Sequence, residues 1–266
     1  MKAIHKAVLQ VVLGVSVLFP LQDSARATDV TFLCAGALES WAKDLIPEFE
    51  QTSGHNVKAT FALLNVITAV VRKNDAADLV IVSPQQWEAL HKEGKLDPAV
   101  RVVIAKTGFG VFVKKGAAKP DITSLEMFKR AFLNARSIAL FDPAVGGPTG
   151  IFTARLFERL GMTAELKSKI KHPTRSADPL KLGPRGLFEL VAQGHADIGV
   201  AQISEIVAEP SVDLVGPLPV EIQDFTIFTA AIPTNTKHSA AARALIDFLV
   251  SPKATSTLKS KGLEQD

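Results

Sequence analysis

Four short segments rich in small residues are the parts of this 266-residue sequence best suited to bind a ligand. Each lies where a predicted strand or loop passes into a predicted helix, and small residues there let a ligand approach the backbone closely. The N-termini of the following helices offer unpaired N–H groups and a positive dipole end, which favours an anion. The four joints are 35–38 (AGAL), 62–65 (ALLN), 146–150 (GGPTG) and 183–186 (GPRG).

Polar side chains at or near these joints can complete an anion site. Thr149 and Asn65 lie within two of the joints, and Gln202 follows a later strand, so each can add a hydrogen bond. Arg185 adds a planar guanidinium group whose geometry suits a carboxylate. An alternative stays open at this point: the glycines can serve turn geometry alone, and Arg185 can be a solvated charge at a helix end.

Known enzyme signatures are absent from the sequence. Gly108 and Gly110 form a G-x-G pair without the third glycine of a dinucleotide fingerprint, and neither a Walker-type G-K-[ST] nor a G-x-S-x-G elbow occurs. The histidines show no metal-ligand spacing, so no metal and no cofactor are expected. The apolar residues before Cys34 favour an inert buried thiol over a nucleophile, and a single cysteine excludes an internal disulfide.

The elements that position the joints alternate between strand and helix. Apolar residues at helical spacing over 38–49 predict the first helix, Gly54 ends it, and Pro84 suits the first position of a later helix. Ser124 and Ser239 are predicted helix caps. Strands are predicted at 30–34, 56–61, 78–82, 111–115, 138–140, 197–201 and 225–232, and further helices at 66–73, 124–135, 151–160, 186–193, 239–250 and 252–261. The alternation predicts an α/β fold with a mostly parallel sheet and helices on both faces, the doubly wound class.

Two extended apolar runs indicate how the chain is organised. The runs 108–115 and 225–232 lie roughly symmetrically about the middle of the chain, as two crossings between the same pair of lobes would. We therefore expect two doubly wound lobes, a cleft between them and a two-strand hinge that lets them close on a ligand. The first lobe is expected to comprise 28–108 and 226–266, and the second 109–225. Two independent domains in series are the alternative.

Residues 1–27 have the features of a secretory signal peptide. Basic residues precede the apolar stretch 7–19, and Ala25-Arg26-Ala27 supplies an A-x-A cleavage site. The apolar stretch is short for a membrane span, so we expect cleavage after Ala27 and a soluble periplasmic protein, with a retained anchor as the alternative. Cleavage removes three basic side chains and one acidic side chain, which lowers the formal net charge from +3 to +1. No broad positive field then remains for a nucleic-acid partner.

From 30 to 262 the chain resembles the periplasmic molybdate-binding protein family, the type II solute receptors of ABC importers. The order and spacing of several short pieces carry the resemblance: Cys34-Ala35-Gly36-Ala37-Leu38, Phe61-Ala62, Ala77-Asp78-Leu79-Val80-Ile81 with Ser83, Asp142-Pro143, Pro148-Thr149-Gly150-Ile151, Arg185-Gly186 and Gly199-Val200. The resemblance implies two lobes, a double hinge and a small anionic ligand in the cleft. It also implies an inner-membrane ABC permease as a partner, and we expect a monomer.

The sequence departs from this family at the positions that hold molybdate. Members that bind molybdate have a serine in the first loop, a serine-rich second joint and a later tyrosine. At these places this chain has Ala37, then Leu63, Leu64 and Asn65, and lastly Gln202. Each unmet hydrogen bond to a dehydrated oxyanion costs about 1–3 kcal/mol, so an organic di- or tricarboxylate is the better expectation. The resemblance implies five pocket positions in this chain: Ala37, Leu64, Thr149, Pro184 and Gln202.

Three functions stay open from the sequence. A solute-binding protein for a small anion, either an organic di- or tricarboxylate or an oxyanion, comes first, because most chains of this architecture only bind. Aconitate isomerase, a periplasmic enzyme, is similar to the same family, which implies that the fold can host a cofactor-independent allylic proton shift on a tricarboxylate such as cis- or trans-aconitate. Glu39, Asp142 or a histidine can serve as its base, and the sequence does not choose among them. Molybdate or tungstate binding is the third function.

Overall fold

The structure is a computed structural model that describes residues 27–145, 147–174 and 185–265. Its strands are β1 (Asp29–Ala35), β2 (Asn56–Ala62), β3 (Leu79–Val82), β4 (Val102–Lys114), β5 (Ile138–Ala139), β6 (Ile170–Lys171), β7 (Ile198–Gln202), β8 (Val212–Pro217) and β9 (Phe225–Ala231). Its helices are α1 (Glu39–Ser53), α2 (Leu64–Arg72), α3 (Pro84–Lys92), α4 (Leu125–Asn134), α5 (Pro148–Arg159), α6 (Thr163–Leu166), α7 (Arg185–Ala192), α8 (Ile203–Val207), α9 (Ser239–Leu249) and α10 (Pro252–Ser256). Short 3-10 turns occupy Gly36–Leu38, Pro143–Val145 and Lys259–Lys261.

Some of the sequence predictions fall outside this described part of the chain. They are the signal peptide apart from Ala27, Gly146 of the third joint, and the segment 175–184, which includes Pro184. Within the described ranges, no helix is long and apolar enough to cross a membrane.

The ends of several helices follow local sequence signals. Gly54 ends α1 in the left-handed conformation, with φ of 73°, which glycine adopts without steric cost. Pro84 is the first residue of α3, and Ser124 caps α4 by accepting a backbone N–H hydrogen bond. The prediction for Ser239 is wrong: it is the first residue of α9, and His238 occupies the N-cap without a side-chain hydrogen bond.

The first lobe is a sheet covered by helices on both faces. β2, β1 and β3 pair in parallel in that order. β9 pairs antiparallel with β3, and the first part of β4 pairs antiparallel with β9. Successive residues of β1 point to opposite faces. Phe32 and Cys34 pack with Trp41 of α1 and with the C-terminal helices, whereas Leu33 packs with Ile67 of α2 and with α3. The C-terminal helices therefore pack against the same sheet as α1.

The second lobe is built on the rest of β4. From Phe109 onward this strand pairs antiparallel with β7 on one side and β8 on the other, and β5 pairs in parallel with both β7 and β6. Val111 and Phe112 pack into cores on opposite faces of the sheet, Phe112 against Phe188 of α7. A side chain at Gly199 would collide with this packing, because its Cβ would lie 2.4 Å from Cζ of Phe112.

β4 is the strand that both lobes share. Its residues up to Gly108 pair with β9 and its residues from Phe109 pair with β7, so the chain passes between the lobes at this point. It returns through the segment 218–224. There the side-chain oxygen of Gln223 accepts a hydrogen bond from the backbone N–H of Phe109, at an N–O distance of 2.9 Å. The side-chain NH2 of Gln223 donates to the backbone carbonyl of Phe109, at 3.0 Å. This return lies just ahead of the predicted run 225–232.

The sheet is more mixed than the sequence predicted. Four strand pairs are parallel and four are antiparallel in the described residues, because β4 runs against β7, β8 and β9 and because β9 runs against β3. β4 has 13 residues, and polar Lys106 and Thr107 divide its apolar pattern, so only its second half was recognised. The elements β6, β8, α6 and α8 were missed because runs of two to six residues are too short to show periodicity.

Candidate functional site

A small cavity lies where the two lobes meet. Its volume is about 50 Å³, which is room for one or two water molecules or for a single carboxylate group. It is lined by residues 35–37, Glu39, 61–64 and Phe228 from the first lobe and by Pro148, Gln202 and Glu205 from the second. We call this space the small cavity. Its walls are mostly apolar, and its polar side chains are Glu39, Gln202 and Glu205.

Strand ends bring these residues together. β1 leads into the turn Gly36–Leu38, β2 leads into α2, and β7 ends at Gln202. α5 begins at Pro148, after β5 and an intervening turn. In doubly wound sheets ligands bind outside the carboxyl ends of the strands, where helix N-termini carry a positive partial charge. The small cavity occupies this position relative to β1, β2 and β7, with the first turns of α2 and α5 in its wall.

Glu205 is the most unusual residue of the small cavity. Its Oε2 atom is buried without a hydrogen-bond partner in the described structure, although another part of the residue stays exposed. Desolvation by burial raises the pKa of the carboxyl to about 7, against a smaller opposing effect from the backbone of Gln202. The carboxyl therefore titrates near neutral pH, where one group can both accept and donate a proton.

Gln202 places a second unsatisfied oxygen at the same cavity. The residue is only 3% exposed, and its Oε1 atom is buried without a partner among the described residues. A buried acceptor without a hydrogen costs about 1–3 kcal/mol, which a ligand can recover by supplying one. Among the described residues that line the small cavity, none is a lysine or an arginine.

A larger space adjoins the small cavity at Leu64 and Pro148, which line both. This space, the large groove, has a volume of about 510 Å³ and runs between residues 83–86, α5 and the segment 223–227. Arg155 and Arg159 are exposed in its wall, one helical turn apart on α5, and neither forms an ion pair with a carboxylate of the described chain. The large groove thus offers two cations to an anionic ligand.

An aromatic pair supports the large groove beside these arginines. The rings of Phe109 and Phe152 stack with their centroids 4.0 Å apart and an interplanar angle of 8°. Both residues line the groove, and Phe109 is also the residue at which β4 enters the second lobe. The stack therefore ties the wall formed by α5 to the hinge.

The structure places the predicted ligand-binding residues as follows. The small cavity collects Ala37, Leu64 and Gln202. Thr149 is buried, with 3% exposure, directly after the lining residue Pro148. Asn65 is exposed and lines neither the small cavity nor the large groove. Pro184 is outside the described residues, and α7 begins at Arg185, whose side chain is also outside them.

Sequence reasoning missed Glu205. It stands three residues after the end of β7, at the third position of α8, where a glutamate commonly reaches back to the backbone at the helix start. The available signal was an acidic residue close behind a buried strand that ends in Gln202. The turn Gly36–Leu38, which is distant in sequence, packs against α8, and Phe228 lines the same cavity as Glu205.

The other groups considered for chemistry are less suited to it. Glu39 lines the small cavity, but its side chain is 44% exposed and pairs with Lys43. Asp142 and the described histidines line neither space. Cys34 is fully buried, and desolvation raises the pKa of its thiol far above the usual range, which fits the predicted inert thiol. In the described ranges, no group of three or more His, Cys, Asp or Glu side chains is arranged to hold a metal ion.

Comparison with known proteins agrees with the geometry. Residues 30–264 match the family of bacterial extracellular solute-binding proteins. An aconitate isomerase of Pseudomonas sp is 28% identical over 251 residues, which is 92% of this chain and 91% of that protein. The molybdate-binding protein ModA of Azotobacter vinelandii is 25% identical over 250 residues, which is 91% of this chain and 92% of that protein.

The fold is also similar to that of a molybdate-binding protein. The solved structure of the Azotobacter vinelandii periplasmic molybdate-binding protein superposes with a TM-score of 0.71 at 19% identity, covering 89% of this chain and 99% of that one. The predicted resemblance is thereby confirmed, and the architecture is the two-lobed α/β fold of type II periplasmic binding proteins. Because the family match spans nearly all of the described residues, this chain belongs to the bacterial extracellular solute-binding proteins.

Proposed function

We propose that this protein captures a small organic di- or tricarboxylate in the cleft between its lobes. The observation that carries the proposal is the pairing of two unlike spaces. One is an apolar small cavity with a titratable carboxyl, and the other is a large groove with two arginines that form no ion pair among the described residues. One ligand carboxylate would enter the small cavity. The remaining carboxylates would lie against Arg155 and Arg159, because a guanidinium fork matches carboxylate geometry.

A small tetrahedral oxyanion suits this lining less well. Ala37 and Leu64 supply no hydroxyl group, and the unsatisfied atoms of Gln202 and Glu205 are acceptors rather than donors. The described lining therefore lacks the converging hydroxyl donors that a dehydrated oxyanion needs, and each unmet hydrogen bond costs about 1–3 kcal/mol. Similarity to a molybdate-binding protein supports an anionic ligand in general, so molybdate or tungstate is the alternative ligand.

The proposed site combines the sequence predictions with the geometry. To the seven residues predicted from the sequence it adds Glu205, Arg155 and Arg159; those seven are Ala37, Leu64, Asn65, Thr149, Pro184, Arg185 and Gln202. The proposed lobes are 28–108 with 226–266, and 109–225, because β4 changes partners between Gly108 and Phe109. Closure about β4 and the segment 218–224 would bring the two halves of the site onto the ligand.

We also propose that the protein is exported by a signal peptide cleaved after Ala27, works as a periplasmic monomer and delivers its ligand to an ABC permease. Membership of an extracellular solute-binding family supports export and delivery. Mass spectrometry of the protein from a periplasmic extract should give a mature chain that starts at Thr28. A species that retains residues 1–27 in the membrane fraction would contradict this part of the proposal.

A thermal-shift screen of the purified mature protein tests ligand capture. The panel is cis- and trans-aconitate, citrate, succinate, molybdate, tungstate and sulfate. We expect the tricarboxylates to raise the melting temperature most, since a ligand at 100 times its Kd stabilises the folded state by about 2.7 kcal/mol. A response to molybdate and tungstate far above sulfate, without one to carboxylates, would make the oxyanion the ligand. No response to any anion would overturn the proposal.

One observation favours a second function, the cofactor-independent isomerisation of a tricarboxylate. Glu205 is a buried carboxyl with a pKa of about 7, and a relative of this chain is an aconitate isomerase. In trans-aconitate the Glu205 carboxylate would remove a methylene proton, the C–H electrons would form the new double bond, and the former double-bond carbon would receive a proton from the carboxylic acid. The positive ends of α2 and α5 would stabilise the charge on the ligand carboxylate.

Proton NMR of trans-aconitate incubated with the protein in heavy water tests this second function. Conversion to cis-aconitate with deuterium entering the substrate supports it, and Glu205→Gln should then lose both while it keeps ligand-induced stabilisation. Glu39→Gln tests the other carboxyl of the small cavity, and a loss there alone would transfer the role to Glu39. Binding with neither conversion nor exchange would remove the enzymatic function and leave capture in place.

A further inference from the structure

Two buried acceptor atoms belong to residues that line the small cavity. Glu205 Oε2 and Gln202 Oε1 have no hydrogen-bond partner in the described structure, and none of the described lysine and arginine side chains lines the cavity. A ligand carboxylate placed there would add further acceptor atoms and a second negative charge. Two carboxylates in contact in a low-dielectric site cannot both stay ionised, so they share a proton.

The charged groups on the surrounding elements do not balance Glu205. α8 packs against β4, β7, β8 and the turn Gly36–Leu38, and Gly262 of the C-terminal segment lies close to its first residues. Several titratable side chains lie on or next to those elements. Three ion pairs are among them: Glu39 with Lys43, Asp197 with Arg136, and Lys261 with Asp44. The others are Lys106, which lies over the ring of Phe225, Asp213, which accepts a hydrogen bond from the backbone N–H of Gly116, and Lys114 and Glu264. Among these, Glu39 is the group that reaches the small cavity, and its charge is already paired. Because no described cation balances Glu205, a proton that arrives with the ligand would supply the balance.

We infer that a carboxylate ligand enters the small cavity together with one proton, which Glu205 and that carboxylate then share. The inference rests on the proposed capture of a polycarboxylate and adds a regulation to it, because capture becomes linked to pH. The only covalent change is one O–H bond, formed with a proton taken from the buffer. The shared hydrogen also satisfies Oε2 of Glu205, which has no hydrogen-bond partner among the described residues.

The direction of the linkage follows from the titration of Glu205 in the empty cleft, where its pKa is about 7. Below that pH the carboxyl already holds its proton, so affinity should not depend on pH. Above it the carboxyl is ionised and must gain a proton as the ligand binds. Kd then rises about tenfold per pH unit, until the pH exceeds the pKa of the shared pair.

Titration calorimetry of the mature protein with trans-aconitate tests the inference. The protons bound by free trans-aconitate are measured at each pH by titrating the probe alone, and they are subtracted from the count. At pH 8.5, in two buffers of different ionisation enthalpy, we expect uptake of about one proton per ligand, and close to none at pH 6. Kd should rise about 30-fold between pH 6 and pH 8.5.

Two variants identify the carboxyl group that takes up the proton when the ligand binds. Glu205→Gln keeps the size of the side chain but cannot titrate, so we expect no proton uptake and a constant Kd over the same range. Glu209→Gln is the matched control, because this nearby carboxylate binds Ser211 instead of lining the cavity, and it should keep the wild-type linkage.

Each outcome bears on one conclusion. Wild-type binding without proton uptake at pH 8.5 would overturn the inference and leave the proposed function standing, and so would uptake that persists in Glu205→Gln. Failure to bind any tricarboxylate at any pH would overturn both. The proton count is measured on the wild-type protein, so the test does not depend on how well a variant folds.

Discussion

The small cavity and the large groove adjoin at Leu64 and Pro148, yet their physical chemistry differs. The cavity, of about 50 Å³, has mostly apolar walls and contains a desolvated carboxyl, whereas the groove, of about 510 Å³, is open to water and presents two guanidinium groups. Water screens charges in the groove, but burial controls protonation in the cavity. One cleft can therefore attract an anion with the cations of the groove and control protonation with the carboxyl of the cavity.

The largest effect that tests this contrast concerns Glu205 and needs no ligand. Burial raises the pKa of its carboxyl from 4.5 to about 7 in the folded protein. Its contribution to stability is therefore full below about pH 4.5 and is lost as the pH rises through 7. Glu205→Gln should raise the free energy of unfolding by about 3 kcal/mol at pH 8 and change it little at pH 4, in denaturant titrations at both pH values. A variant no more stable than wild type at pH 8 would contradict the account of the cavity.

The next effect concerns the two arginines of the large groove. Replacing both Arg155 and Arg159 by alanine should weaken tricarboxylate binding by about 100-fold, with roughly tenfold from each charge-assisted contact. Salt should weaken binding to the wild type more than to the variant, because the groove is open to solvent. Calorimetry at two ionic strengths measures both effects. Arg72→Ala, an exposed arginine paired with Glu93 away from the groove, should bind normally, and an equal loss there would remove the role of the pair.

A smaller effect is expected from the aromatic pair that supports the groove. Phe152→Leu removes the stack with Phe109 while it keeps an apolar side chain, which should cost about 0.5–1.5 kcal/mol and lower the melting temperature by a few degrees. Phe225→Leu is the matched control, because Phe225 lines the same groove but is 42% exposed. Equal shifts in both variants would show that the stack has no special importance.

The smallest effect is expected from Glu39, the partly exposed carboxyl of the small cavity. Its pair with Lys43 is a surface ion pair at i,i+4 spacing, so Glu39→Gln should move the melting temperature by about one degree or less. The pH dependence of ligand binding should stay as in the wild type. A pH profile that flattens in this variant would instead make Glu39 the group that titrates.

Local signals explain why much of the fold was predictable. Pro84 at the start of α3, next to the capping residue Ser83, and Gly54 in the left-handed position after α1 act within a few residues of themselves. Apolar periodicity works over a similar range. The course of β4 was not predictable in this way, because its direction and partners depend on β7, β8 and β9, which follow about a hundred residues later.

The candidate site was predictable to a similar extent. Ala37, Leu64 and Gln202 follow strands that the sequence reveals, and the structure gathers them at one small cavity. Asn65 belongs to the same joint as Leu64 but is exposed, because neighbouring residues on a helix point in different directions. Glu205 and the arginines of α5 have side chains that occur on any helix surface, so only the lobe packed opposite each of them distinguishes it from a solvated charge.

The sequence by itself determined the alternation of strands and helices, the joints of small residues and the absence of hydroxyl groups at Ala37 and Leu64. Those properties depend only on residue types and on spacings of a few residues. The tertiary structure decided that Glu205 is desolvated and lacks a full set of partners, and that two arginines stand beside the space it lines. The physical reason is that desolvation and charge proximity depend on atoms brought together from distant parts of the chain.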